Sequence, residues 1–199
     1  MKRTFAIVTA IMTIFLLSTA VIAGASELTA SLAKQVDSSP NASAELKTFV
    51  KSNLLPLCTN EVFVKTVAAQ NAKGMTLDEI KQTDETWRSA EDFLPIHEEL
   101  LSNECAAEIK RIAKNLPQIT ETFVMDNQGA NVGQNQITSD YWQGDEAKWE
   151  NSFKGGKGGV DIGEAKLYKS TNRIDQKVSL PIIDTSGKVI GAICFGIAL

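Results

Sequence analysis

The sequence has few of the side chains on which metal and redox sites depend. It contains one histidine, His97, and three cysteines, Cys58, Cys105 and Cys194, none of which belongs to a C-x-x-C pair. A structural zinc site needs four such ligands at short spacings, and a thioredoxin-like site needs the C-x-x-C motif. We therefore expect no metal and no cofactor.

Positive charge is also in short supply. The 199 residues include 20 Lys and Arg against 24 Asp and Glu, which gives a formal net charge of −4. Nucleic-acid binding needs a concentrated positive surface that displaces counterions from phosphates, so nucleic acid is not an expected partner. The chain has 43% hydrophobic and 22% charged residues and no internal repeat, which favours one globular domain with a real core.

Catalytic signatures are equally sparse. Ser/His/Asp catalysis would have to use His97, which lies in a segment that looks exposed. Asp140, Asp145 and Glu146 contain carboxylate pairs, but a hydrolase needs two carboxylates on opposite sides of a bond. The glycine-rich stretch 154–159 lacks the context of a phosphate-binding loop. We expect a protein that is not an enzyme, with a carboxylate-dependent hydrolase as the less favoured alternative.

The N-terminus has the pattern of a secretory signal. Lys2 and Arg3 precede an uncharged run that ends at Ala23, and Ala23 and Ala25 supply the small residues that signal peptidase requires. A run of this length could also span a bilayer as an uncleaved anchor that faces the periplasm. Several Thr and Ser residues dilute its hydrophobicity, which favours cleavage. We predict that 1–25 is a signal peptide and that the mature protein is periplasmic.

Residues 26–118 form a half of the domain with helical periodicity. Apolar residues recur at spacings of three and four, as in Leu46, Val50 and Leu54, after the Ser39–Asn41 boundary. Thr76 begins a capping-box pattern, which marks the start of another helix.

Residues 119–199 change to the period of strands. The predicted strands are Phe123–Asp126, Asn131–Gln134, Glu164–Ser170, Ile174–Ile183 and Lys188–Ala198. The last strand is apolar on both faces and is expected at the centre of the sheet, with small residues such as Cys194 on one face. Helices followed by an antiparallel sheet indicate an α+β fold.

A mixture of aromatic and acidic residues follows the first hairpin. Tyr141, Trp142 and Trp149 offer rigid apolar surface beside Asp140 and Asp145, a combination suited to a small-molecule site. The alternative is that the rings belong to the core and that Asp145 caps a short helix.

A second candidate group lies in the helical half. Arg88, next to Trp87, is the first choice for holding a ligand carboxylate because its guanidinium is a bidentate donor. The alternative is a solvated arginine that pairs with Glu85 or Asp92. The predicted ligand-binding residues are Trp87, Arg88, Asp140, Tyr141, Trp142, Asp145 and Trp149.

The run FVMDNQG…TSDYWQGDEAKW…QKVSLPIIDTSGKVIGAICFGI, within 119–198, resembles the extracytoplasmic PAS-like sensor modules called Cache or PDC domains, particularly the stand-alone periplasmic group. The resemblance implies a single Cache/PDC-type domain with long N-terminal helices packed on a PAS-like antiparallel sheet. It also implies a small-ligand pocket on the face of the sheet opposite to these helices. The residues by which double Cache receptors recognise amino acids are not reproduced, so the ligand stays open.

The resemblance implies a non-enzymatic, extracytoplasmic small-molecule-binding sensor module that reports to a partner protein or delivers its ligand to one. The expected ligand is an amino acid, an amine or an organic acid, and the expected partner is a membrane receptor or another signalling protein. The alternative is a structural or interaction protein without a ligand.

The cysteines allow two interpretations. In an oxidising compartment a disulfide between Cys58 and Cys105 would join two helical segments and leave Cys194 as a buried free thiol. The alternative is three inert buried thiols.

Export gives the first testable prediction. If signal peptidase cleaves after Ala25, the intact mass of protein isolated from a periplasmic fraction should lack 1–25 and begin at Ser26. Full-length chain recovered from the membrane fraction would instead establish the anchor.

Overall fold

The computed structural model describes residues 27–168 and 173–198, and in it helices precede a sheet. The helices are 27–38 (α1), Ala44–Phe49 (α2), Glu61–Ala72 (α3), Leu77–Ser89 (α4), Pro95–Ser102 (α5), Glu104–Asn115 (α6) and Ala147–Phe153 (α7). The strands are Ile119–Met125 (β1), Asn131–Gln134 (β2), Asp161–Ile162 (β3), Lys166–Tyr168 (β4), Arg173–Ile183 (β5) and Val189–Ala198 (β6). The α+β class is confirmed. The predicted signal peptide and the end of the predicted strand at 169–170 lie outside the described residues.

Polar caps set the starts of several helices. The side chains of Ser43, Asn60 and Asn103 accept backbone N–H groups at the first turns of α2, α3 and α6. Thr76 and Glu79 form the predicted capping box at α4. Such caps satisfy N–H groups that have no partner within the helix.

Helix α2 is followed directly by two short helical segments, the first wound more widely than an α-helix and the second more tightly. Val50–Leu54 is π-helical and Leu55–Thr59 is 3-10 helical. Pro56 lies in the first turn of the 3-10 segment, where its missing N–H costs no helical hydrogen bond. The chain therefore passes through Pro56 in a 3-10 segment, without leaving the helical conformation.

The sheet is antiparallel with the strand order β2-β1-β6-β5-β3, and β4 also pairs with β5. Strand β6 lies at the centre, between β1 and β5, as its apolar faces predicted. Strand β3 was not predicted, because two residues are too few to show an alternating pattern.

The two faces of the sheet differ in what covers them. Val178, Leu180 and Phe195 belong to the main hydrophobic core, which also contains Leu32 of α1 and Phe63 of α3. On the other face, Phe123, Met125, Ala192 and Cys194 pack against Trp149 and Phe153 of α7. The small side chains of Ala192 and Cys194 on β6 leave room for the rings of α7.

The expected Cys58–Cys105 disulfide is not formed, since all three cysteines, each within the described ranges, are free and buried. Both residues are packed into the main core. The Cys105 side chain also fills the space above Gly133, where an added Cβ would lie 2.8 Å from its Sγ. Burial raises the pKa of Cys58 and of Cys105 to about 12, so both remain thiols at neutral pH.

Thiol reactivity tests this arrangement. Because the thiolate is the nucleophile, the native protein should react very slowly with iodoacetamide at neutral pH. After unfolding without reductant, mass spectrometry should find three alkylated cysteines. A single alkylated cysteine in the unfolded protein would instead establish the Cys58–Cys105 bridge.

Candidate functional site

A cleft of about 240 Å³ lies between α4 and the segment that carries the aromatic and acidic residues. Its lining residues are Lys81, Asp84, Glu85, Arg88, Asp140, Trp142 and Asp145. Four of the seven predicted site residues therefore meet at one cleft, namely Arg88, Asp140, Trp142 and Asp145. Trp87, Tyr141 and Trp149 lie elsewhere.

Asp84 holds the two walls of the cleft together. Its side chain is buried, and Oδ1 accepts hydrogen bonds from the backbone N–H groups of Tyr141 at 2.9 Å and Trp142 at 3.0 Å. Its Oδ2 lies 3.0 Å from Nε of Arg88. Bonds between a carboxylate and backbone N–H groups are among the stronger ones in proteins. One side chain of α4 therefore fixes the backbone on the opposite wall.

Arg88 pairs with a residue that the sequence did not suggest. Glu85 and Asp92 were the expected partners, but the partner is Asp84, one helical turn earlier. The sequence did contain a signal for this pair, because an acidic residue four positions before an arginine is its neighbour on the surface of a helix. The Arg88 side chain is 60% exposed, and its guanidinium has further N–H donors beyond Nε. The geometry is compatible with a role in holding a ligand anion.

Trp142 presents its ring to a cation. Its Nε1 donates to the carbonyl oxygen of Gln128 at 2.7 Å, which fixes the indole. Nζ of Lys81 lies 4.7 Å from the ring centroid, a cation–π geometry. Gly144 makes this position possible, because a Cβ added there would lie 2.3 Å from Nε1 of Trp142.

Asp140 is fixed through its backbone. Its carbonyl oxygen accepts three hydrogen bonds, from Oγ1 of Thr138 at 2.7 Å, Nε2 of Gln143 at 2.9 Å and Nδ2 of Asn131 at 3.2 Å. Its carboxylate also accepts from the Ser139 hydroxyl and from Nε2 of Gln143. The position of Asp140 at the cleft is therefore set by buried polar neighbours that the sequence prediction missed.

Asp145 does not cap α7. The helix begins at Ala147, and its N-cap residue is Glu146, which makes no side-chain cap hydrogen bond within the described chain. The sequence analysis placed the N-cap at Asp145, one residue before its position in the structure. Asp145 is instead exposed and lines the cleft.

Trp87 and Tyr141 form a buried support behind the cleft. The Trp87 and His97 rings meet edge to face with centroids 4.1 Å apart, and the Trp87 and Tyr141 centroids lie 5.9 Å apart. Nε1 of Trp87 donates to the Thr138 carbonyl oxygen at 3.0 Å. Burial, together with the charge of Asp126, raises the pKa of Tyr141 to about 12, so it remains a neutral phenol.

His97 is buried although the sequence suggested an exposed segment. It is 6% exposed, and its Nδ1 accepts the backbone N–H of Leu94 at 3.1 Å at the start of α5. Its neighbours Glu98 and Glu99 are exposed on other sides of the helix, which is why the local sequence looked like a surface.

Trp149 belongs to the face of the sheet that α7 covers. Its ring stacks on Phe153 with centroids 5.0 Å apart, and Nε1 donates to the Asp126 carbonyl oxygen at 3.1 Å. Lys148 lies beside it, pairs with Glu146 at 2.7 Å and places Nζ 5.4 Å from the Phe123 ring centroid. Burial opposes its charge, but Cys194 and the carboxylates nearby raise the pKa of Lys148 above its ordinary value.

Two kinds of feature are missing from the described residues. Within 27–168 and 173–198, no cluster of His, Cys, Asp and Glu has the arrangement of a metal site. The same ranges contain no helix with the length and apolar character needed to cross a membrane.

Comparisons with known proteins give structural likenesses only, since neither a protein-family model nor a curated protein matches the chain. The sensor domain of the V. cholerae histidine kinase DctB is 14% identical, with a TM-score of 0.44 over 87% of this chain and 57% of that one. The ligand-binding domain of the Campylobacter jejuni chemoreceptor Tlp3, in complex with 4-methylisoleucine, is 12% identical, with a TM-score of 0.41 over 92% of this chain and 60% of that one.

The ligand-binding domain of Mlp24 with asparagine is a third example, with 14% identity and a TM-score of 0.35 over 92% of this chain and 61% of that one. This chain spans 57 to 61% of the length of these three structures.

The role of Asp84 can be tested by mutation. Asp84→Ala leaves two backbone N–H groups without their acceptor, so it should lower the free energy of unfolding by about 2–4 kcal/mol. Arg88→Ala removes only the exposed half of an ion pair and should cost less than about 1 kcal/mol. Urea denaturation measures both. Equal and small effects would show that Asp84 does not hold the cleft together.

Proposed function

We propose that the protein is a non-enzymatic, extracytoplasmic module that binds a small organic ligand in the cleft lined by Asp140, Trp142 and Asp145. The observation that carries this proposal is the meeting, at one cleft, of a fixed indole, a bidentate donor and several carboxylates. Small-molecule sites combine apolar surface with a few placed polar groups in this way. As a periplasmic sensor, the module would report its ligand to a membrane receptor or another signalling partner.

The size and charge of the cleft narrow the ligand. A volume of about 240 Å³ suits a molecule as small as an amino acid, an amine or a short organic acid. Four carboxylates against two cations favour a ligand with a positively charged end. The Lys81 ammonium above Trp142 shows that the ring face accommodates a cation. Arg88 is the complementary group for a ligand carboxylate.

The contacts of Asp84 suggest how binding would be reported. A ligand that contacts Trp142 or Asp140 would touch the wall of the cleft whose backbone is hydrogen-bonded to Asp84 of α4. A shift of that wall changes the hydrogen bonds of Asp84 and hence its pairing with Arg88 on the exposed side of α4. The solvent-facing surface of α4 is therefore the proposed contact for a signalling partner.

A thermal-shift screen of amino acids, amines and short organic acids tests the proposal. A ligand that binds only the native state stabilises it by about 2.7 kcal/mol at a hundredfold excess over Kd. For a chain of this size the melting temperature should rise by roughly 5–10 °C. Asp145→Ala and Trp142→Ala should weaken the best ligand by on the order of 1–3 kcal/mol.

Glu150→Ala is the matched control, because Glu150 is an exposed carboxylate of α7 that does not line the cleft. It should leave affinity unchanged. If both cleft variants bind as tightly as the parent, the cleft is a structural joint between α4 and the sheet half, and the interaction-protein alternative replaces the sensor. Hydrolysis of a screened compound would instead support the alternative of a carboxylate-dependent hydrolase.

A further inference from the structure

Three buried amide side chains lie behind Asp140. Asn131 and Gln134 belong to β2, and Gln143 belongs to the segment that forms the cleft wall. All three residues are 0% exposed. We call them the amide triad.

Hydrogen bonds fix which way each amide of the triad faces. Nδ2 of Asn131 donates to the Asp140 carbonyl oxygen at 3.2 Å and to Oε1 of Gln134 at 3.2 Å. Nε2 of Gln143 donates to the same carbonyl oxygen at 2.9 Å. A carbonyl oxygen only accepts, so the NH2 groups of Asn131 and Gln143 must face Asp140. Gln134 must accept from Asn131 through its oxygen.

Each amide of the triad keeps one polar atom without a protein partner. Among the residues that the structure describes, nothing bonds to Oδ1 of Asn131, Nε2 of Gln134 or Oε1 of Gln143. An unpaired buried polar group costs about 1–3 kcal/mol, so three in one network are an unusual concentration. The network offers two acceptors and one donor to a further group.

The triad adjoins the sheet face that α7 covers. The register pairs Gln134 with Phe123 and Asn131 with Met125, and paired residues of antiparallel strands share a face. Phe123 and Met125 belong to the buried cluster against which Trp149 packs. Asp140 connects the triad to the cleft, because it lines the cleft and bonds to two of the three amides.

The surroundings of the triad favour a neutral group. Two ion pairs lie on the same face, Lys177 with Glu121 and Lys148 with Glu146. Buried Asp175 shares that face and accepts from the Thr120 hydroxyl at 2.7 Å. The three unpartnered atoms themselves belong to neutral amides, so a charged ligand group buried against them would lose its hydration without a countercharge from the triad. A neutral group with N–H donors beside a carbonyl oxygen complements two acceptors and one donor.

We propose that the amide triad recognises a carboxamide or ureide group, with N–H donors directed to Asn131 and Gln143 and a carbonyl oxygen accepting from Gln134. This inference rests on the proposed ligand-binding function and names the chemical class that the inner end of the site selects. The cleft then holds the outer part of the same ligand.

Side-chain amide resonances provide a direct test. Acetamide and hydantoin are titrated into ¹⁵N-labelled protein up to their solubility limits, with acetate and methylammonium as charged controls. The NH2 signals of the triad, each assigned by its loss in Gln134→Met, Gln143→Met or Asn131→Leu, should shift in a saturable way with the neutral probes. They should not move with acetate or methylammonium.

Affinity measurements complete the test. Gln134→Met and Gln143→Met keep the length of the side chain and should raise the Kd for hydantoin about tenfold, since each removes one hydrogen bond. Gln82→Met, at an exposed position of α4, should leave the Kd unchanged. If a variant fails to fold, the titration of the parent protein alone decides.

The outcomes separate this inference from the proposed function. Triad signals that stay still with the neutral probes, or that respond equally to acetate, overturn the inference. If the thermal-shift screen still yields a ligand that Asp145→Ala weakens, the cleft function survives without the triad. If hydantoin shifts the triad but no ligand depends on Trp142 or Asp145, the triad stands and the cleft assignment fails.

Discussion

One buried carboxylate holds the candidate site in place. Asp84 accepts two backbone N–H groups from Tyr141 and Trp142, which belong to a connection with little regular structure of its own. That connection follows the β1–β2 hairpin, and without an acceptor from α4 its buried N–H groups would have no partner at this wall. The positions of Trp142 and Asp140 therefore depend on a helix that is distant in sequence.

The two faces of the sheet have different chemistry. The face toward α1 and α3 is apolar and closely packed, with Val178, Leu180 and Phe195 among its residues. The face toward α7 carries ionic and amide groups among its apolar side chains, including the buried pair Lys177–Glu121. Burying such groups stabilises a fold less than apolar packing does.

The sequence predicted what depends on local pattern and missed what depends on distant contacts. The capping box at Thr76, the β1–β2 hairpin and the central position of β6 all follow from residue types and spacing within one segment. Asp84, in contrast, resembles any polar residue of an exposed helix, and only the tertiary structure places it against Tyr141. The sequence left open whether Cys58 and Cys105 are bridged or are buried thiols, and the structure has the thiols, because the packing of Cys105 against Gly133 has no local signal.

The π-helical turn after α2 has a consequence for how this part of the chain meets the sheet. The buried residues Leu46, Val50, Leu54 and Cys58 are spaced by four, whereas an ideal α-helix would rotate each successive one by about 40° around its axis. A wider turn at Val50–Leu54 takes up part of that rotation. The buried side chains of Leu46, Val50 and Leu54 therefore stay closer to one side of the helix than regular α-helical turns would keep them.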